Sequence, residues 1–245
     1  MFAAITLASW GALWLWSASP YGRYLEHVGW SDAVSFAAFC RDVAVPTGAH
    51  ALAWVLMIAA MMLPTTYPLL AIFRRITASR PDRDKMLALV VAGFLCAWFA
   101  FGVAAHWLDD AIRALALRSG WFLTHGSLVS AFVLAAAGAF QFSALKYRCL
   151  EQCQSPFAFV ASRWHGRAPA REAWRLGLAH GAFCVGCCWA LLLVMFVVGI
   201  GSVGWMLALA AVMAAEKNLP AGRYLRAPLG IALFGAAAAV IATNA

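Results

Sequence analysis

The sequence predicts an all-α, polytopic membrane protein with about seven transmembrane helices (six to seven), and three observations carry that prediction. Apolar residues make up 64% of the 245 and charged residues only 11%, against about 25% charged in an ordinary soluble domain. The mean hydropathy is +0.80. The apolar residues also fall in long runs, and about 20 of them in a helix span a hydrocarbon core of about 30 Å. This excludes a disordered chain, a disulfide miniprotein and a typical cytosolic enzyme. Strands of a membrane barrel take only about 9–11 residues, so the runs are helices. No segment between the runs is long enough for a soluble domain, and residues 1–245 are read as one integral membrane domain.

The first run, Met1–Ser19, is uncharged and no basic residue precedes it. It is expected to be a retained span rather than a signal peptide. The second, His50–Phe73, contains Pro64 and Pro68, which remove backbone donors and predict a kink. The third is Met86–Trp107, the fourth Trp121–Leu145 and the fifth Leu176–Ile200. The sixth, Val203–Ala215, is short. The seventh is Pro228–Ala242.

Basic residues assign the sides. Arg74, Arg75, Arg80, Arg83 and Lys85 lie between the second and third runs. Lys146, Arg148, Arg163, Arg167, Arg171 and Arg175 lie between the fourth and fifth, and Lys217, Arg223 and Arg226 between the sixth and seventh. The alternate loops hold only Arg23, Arg41, Arg113 and Arg118. Cytoplasmic loops carry the basic excess, so the N-terminus is expected inside and the C-terminus outside. The same pattern accounts for the net charge of +8, and no nucleic-acid partner is expected.

The chemistry concentrates in two cysteine groups. In His180-Gly-Ala-Phe-Cys184-Val-Gly-Cys187-Cys188 the four polar side chains fall within roughly 100° of one helix face. Gly177 and Gly181 lie on or beside that face and would admit a neighbouring helix closely. Cys149 and Cys153 stand at i and i+4, so their sulfurs share a face. Both groups belong to the side expected to be cytoplasmic, where thiols stay reduced. That favours soft-metal coordination over structural disulfides, and the five sulfurs are expected to converge. Met57 and Met61 on the kinked second run are candidate thioether ligands. Glu216 is a further candidate ligand, or else a boundary charge paired with Lys217 or a loop arginine. Gln141 is a rare intramembrane polar group suited to a hydrogen bond across helices. His27, His50, His106 and His125, with Asp109 and Asp110, gather near the opposite boundaries as a candidate entry or release site.

These residues resemble a bacterial inner-membrane family described as predicted metal-binding integral membrane proteins (domain of unknown function 2182). The resemblance rests on Ala60-Met-Met-Leu-Pro64 with Pro68, Gln141, Lys146 with Cys149 and Cys153-x-Ser155-Pro156. It continues through His180-Gly with Cys184-x-Gly-Cys187-Cys188-Trp189, and Glu216-Lys217 with Pro220 and Gly222. The chain departs from the family pattern at Gln152, where His is frequent, and at Leu192 and Gly201, where Met is. The resemblance implies a multi-pass protein of the bacterial inner membrane.

Together these readings predict a soft-metal protein of the membrane, handling copper(I), with zinc as the competitor, by transport, storage or delivery. The metal ligands expected are Cys149, Cys153, His180, Cys184, Cys187, Cys188, Met57, Met61 and Glu216. The partners expected are lipid, the metal ion, and a metallochaperone or membrane enzyme. Two alternatives stay open: a membrane thiol or metal oxidoreductase, and an accessory subunit of a larger membrane enzyme. The residues do not decide whether the protein is an enzyme.

Overall fold

The computed structural model describes residues 2–19, 47–119, 121, 124–198 and 203–244. Most of those residues are helical, and no strand is among them. In chain order the helices are α1 (Phe2–Ser17), α2 (Thr47–Met61), α3 (Tyr67–Ile76), α4 (Arg83–Arg118), α5 (Gly126–Gln141), α6 (Ala144–Gln154), α7 (Pro156–Ala161), α8 (Pro169–Val198), α9 (Val203–Asn218) and α10 (Arg226–Asn244). Short 3₁₀ turns at Pro64–Thr66 and Gly222–Leu225 precede α3 and α10.

Three helical stretches, Arg83–Arg118, Pro169–Met195 and Gly222–Asn244, are long and apolar enough to cross a membrane. Two broken pairs raise this to five if each is one span: Ala51–Met61 with Pro64–Ile76, bent by 43°, and Gly126–Gln141 with Ala144–Gln154, bent by 60°. The first and sixth apolar runs form helices of 16 residues, or about 24 Å at 1.5 Å per residue. The third run extends past its expected end, because α4 continues through a charged turn to Arg118.

Close glycine contacts set the packing. α4 and α8 run side by side and parallel, and form the most extensive helix pair. A Cβ on Gly177 would strike the Val90 carbonyl, and one on Gly181 would lie 2.7 Å from Ala97 Cβ. The expected close approach at these glycines is therefore present. α5 and α10 pack antiparallel, where a Cβ on Gly138 would meet the Gly230 carbonyl at 3.1 Å.

Both breaks have local causes. At the first, Pro64 cannot donate, and the Thr65 and Thr66 hydroxyls donate to the Met62 carbonyl at 2.8 and 3.2 Å. At the second, Ser143 caps α6 by accepting from Lys146 N at 3.1 Å. The bend turns Lys146, Cys149, Leu150 and Cys153 inward as one buried stripe, the i, i+3, i+4, i+7 pattern of a core-facing helix. The loop before α8 is pinned by Glu172, whose carboxylate accepts the backbone N–H groups of His165, Gly166, Arg167 and Ala168 at 2.7–3.2 Å. Gly166 there has φ +73°, a left-handed conformation that glycine adopts without strain.

Candidate functional site

Four elements converge at one level of the bundle: the break after α2, the buried stripe of α6, the middle of α8 and the end of α9. Cys184, Cys187 and Cys188 are buried on α8, and Cys149 and Cys153 are buried on α6. The two groups meet across Gly186, where an added Cβ would lie 2.6 Å from the Cys149 sulfur. Cys153 lies near Cys187. The six cysteines among the described residues are free thiols. Cys187 Sγ lies 3.3 Å from Cys188 Sγ and donates to the Cys184 carbonyl at 3.2 Å.

Two lysines give the site its charge. Lys146, 0% exposed, donates to both carboxylate oxygens of Glu216 at 2.9 and 2.8 Å. Glu216 is 1% exposed, and its carbonyl accepts from the Gln154 amide at 2.6 Å. This ties α6 to α9. Lys217, 4% exposed, turns elsewhere. Its ammonium donates to Cys184 Sγ at 2.9 Å and Thr65 Oγ1 at 3.3 Å, with Met62 Sδ at 3.8 Å. No carboxylate lies within ion-pair reach of Lys217 among the described residues. The Trp98 indole approaches Cys184 from α4.

Sequence reasoning offered Lys217 or a loop arginine as the partner of Glu216; the partner is Lys146. Adjacent residues on a helix point about 100° apart, so Glu216 and Lys217 reach different neighbours. Met57 and Met61 are buried in the same core as the cysteines, but the thioether that reaches the lysine is Met62. Thr65 was missed; Lys146 and Lys217 were not expected as buried members of the site, and Met62 was not among the ligands expected. A usable signal existed for the lysines: each borders an apolar run, where a buried ammonium must find a built partner.

His180 is 4% exposed and sits between rings, stacked on Phe94 at 5.9 Å and edge-on to Phe159 at 5.4 Å. Its Nδ1 has no hydrogen-bond partner. Among the described residues, no three His, Cys, Asp or Glu side chains are already arranged to hold a metal ion. The thiols instead face protein groups and an ammonium.

The His and Asp residues at the far end form local contacts. Arg113 pairs with Asp109 at 3.1 Å, and His106 with Asp110 at 3.7 Å, each one turn apart. His125 stacks on Trp121 at 4.6 Å. His27, the His50 side chain and Cys40 lie outside the described residues.

A family model described as PpoB2, copper chaperone, matches residues 51–240. The match covers most of the chain and every residue of the converging site, and the chain belongs to that family. The family's description names copper and gives no support to zinc. Comparison with curated proteins and with solved structures gives no match.

Proposed function

We propose that this copper-family chain is a membrane-spanning copper(I) chaperone, which takes the ion into the sulfur layer between α6 and α8 and passes it to a partner protein. The observation that carries this reading is the buried Lys217 ammonium, held by Cys184 Sγ, Thr65 Oγ1 and Met62 Sδ. A single positive charge already resides, out of water, among soft donors. Copper(I) carries the same charge and prefers thiolate and thioether. Cys153, Cys187 and Cys188 lie near that position, with Cys149 beyond them against Gly186, so loading needs the ammonium to withdraw and the thiols to rotate toward the ion. Met57, Met61 and His180 lie in the surrounding core as further candidate donors. Glu216 is held by Lys146 and serves the scaffold in this reading.

The topology belongs to the same proposal. The chain crosses the bacterial inner membrane in about seven spans, with the N-terminus inside. Three contacts support a common side for the basic segments: Phe73 packs on Trp164 at 4.8 Å, Arg226 lies over Tyr147 at 4.8 Å, and Lys217 reaches Thr65. They gather the segments after α3, between α5 and α8, and after α9 at one end of the bundle. Those are the segments that carry the basic residues.

The test is metal analysis of protein purified anaerobically with copper(I), beside the Cys184→Ser/Cys187→Ser/Cys188→Ser variant. Expected is stoichiometric copper with sulfur ligation in X-ray absorption, and loss of that copper in the folded variant, because serine is a hard, neutral ligand. Retention of the same copper by the variant would overturn the reading. So would a metal-free parent with one reversible disulfide, which is the oxidoreductase outcome.

A further inference from the structure

A second built site lies on the opposite face of α6 from the cysteines. A cavity of about 550 Å³ opens where the α5–α6 break meets the start of α10. Arg148, Arg223, Arg226, Tyr147, Tyr224 and Gln141 line it, and no Asp or Glu is among its lining residues. Two of the three arginines have partners within the protein. The Arg226 guanidinium sits 4.8 Å over the Tyr147 ring and donates through Nε to the Arg223 carbonyl at 2.9 Å. Arg223 sits 4.9 Å over Tyr224 and donates to its hydroxyl at 2.9 Å. A guanidinium has five N–H donors, so these contacts leave most of them for a ligand.

The N-terminus of α6, which Ala144 begins, also opens on the cavity. Its dipole favours an anion there. The independent sign of a ligand is Gln141. It is 1% exposed, and neither its amide nitrogen nor its amide oxygen has a partner. A buried amide left unsatisfied is costly, and this one belongs to a residue that lines the cavity together with three arginines. Gly230 packs closely against two of the lining residues, since a Cβ there would meet the Phe142 ring at 2.5 Å and Gln141 Cβ at 3.2 Å.

We propose that this cavity is a phosphate-anion site, with the phosphodiester of an anionic phospholipid as its occupant and free phosphate as the other source of the same chemistry. Arg148, Arg223 and Arg226 take the anion, the α6 N-terminus adds to them, and the buried Gln141 amide turns to donate from the cavity wall. The surroundings favour the lipid. Phe142, Tyr147 and Tyr224 are exposed around the opening, and aromatic residues mixed with arginine mark the headgroup level of a membrane.

The experiment uses the full chain, delipidated in uncharged detergent, with thermal unfolding and native mass spectrometry as readouts. Phosphatidylglycerol, phosphatidylcholine and inorganic phosphate are added separately to the parent, to Arg148→Gln/Arg226→Gln and to Gln141→Leu. Expected is one retained phosphatidylglycerol and a raised unfolding temperature in the parent, with no such effect from phosphatidylcholine. Retention weakens about tenfold or more in the arginine variant, as for loss of charged hydrogen bonds. Gln141→Leu weakens retention while leaving the lipid-free protein at least as stable, a split that a purely structural glutamine does not produce. Equal retention in all three proteins overturns the site. A full effect from inorganic phosphate alone overturns the lipid as occupant and leaves the soluble anion.

Discussion

Glu216 and Lys217 are neighbours in sequence, equally buried and opposite in charge, yet they sit in different kinds of environment. Glu216 is matched: both its oxygens receive the Lys146 ammonium, and the pair closes α6 onto α9. Lys217 is mismatched: its charge meets sulfur and a hydroxyl instead of a carboxylate. The difference separates scaffold from site. A matched pair is neutral and has nothing to exchange. An ammonium resting among thiols is a cation in a place that a soft metal cation of the same charge can take.

The largest effect expected is on the matched pair. Glu216→Gln leaves Lys146 buried without its counter-charge and should destabilise the protein by about 3–5 kcal/mol. The double variant Lys146→Met/Glu216→Leu should recover most of that loss, since apolar replacement of a whole buried pair is often neutral or better. Chemical denaturation in micelles measures both. A double variant as unstable as the single one would mean that the pair does more than satisfy itself.

Lys217→Met is expected to behave in the opposite way. It removes a buried charge and adds a thioether beside Cys184 and Met62. Folding stability should hold or rise, and copper(I) affinity, measured by chelator competition, should tighten by about tenfold, roughly 1.4 kcal/mol. Destabilisation as large as that of Glu216→Gln would erase the contrast between the two residues.

The smallest effect belongs to Cys96, which is exposed on α4, away from the converging group. Cys96→Ser should match the parent in copper stoichiometry and in stability within about 0.5 kcal/mol. A clear loss of copper would move the site toward the α4 surface.

Much of the fold was legible because burial in lipid demands long apolar helices, and their composition is written directly in the chain. The Pro64 break could be read from the missing donor, and the Gly177 and Gly181 contacts from residues too small to hold helices apart. The break at Gln141–Ala144 carries no proline and was not legible. It depends on Ser143 capping a new helix whose buried stripe then faces α8. In the site, the cysteine stripes were readable from the helix period, and the structure brings them into contact at Gly186, where the Cys149 sulfur packs on α8. Met62 instead of Met57 or Met61, and Lys146 instead of Lys217, were not readable, because the period identifies a face but not what stands opposite it.

By itself, then, the sequence determined the helical class, the apolar runs, the clustering of basic residues and the two sulfur stripes. Each of these is a property of composition or of one helix. The tertiary structure alone decided which charge is neutralised and which is left among thiols, and which face of α6 meets arginines. Those outcomes depend on side chains 70 residues apart for Lys146 with Glu216 and 155 apart for Lys217 with Met62. The physical reason is that the cost of a buried charge is set by the few ångströms around it, and helices brought together only on folding supply those atoms.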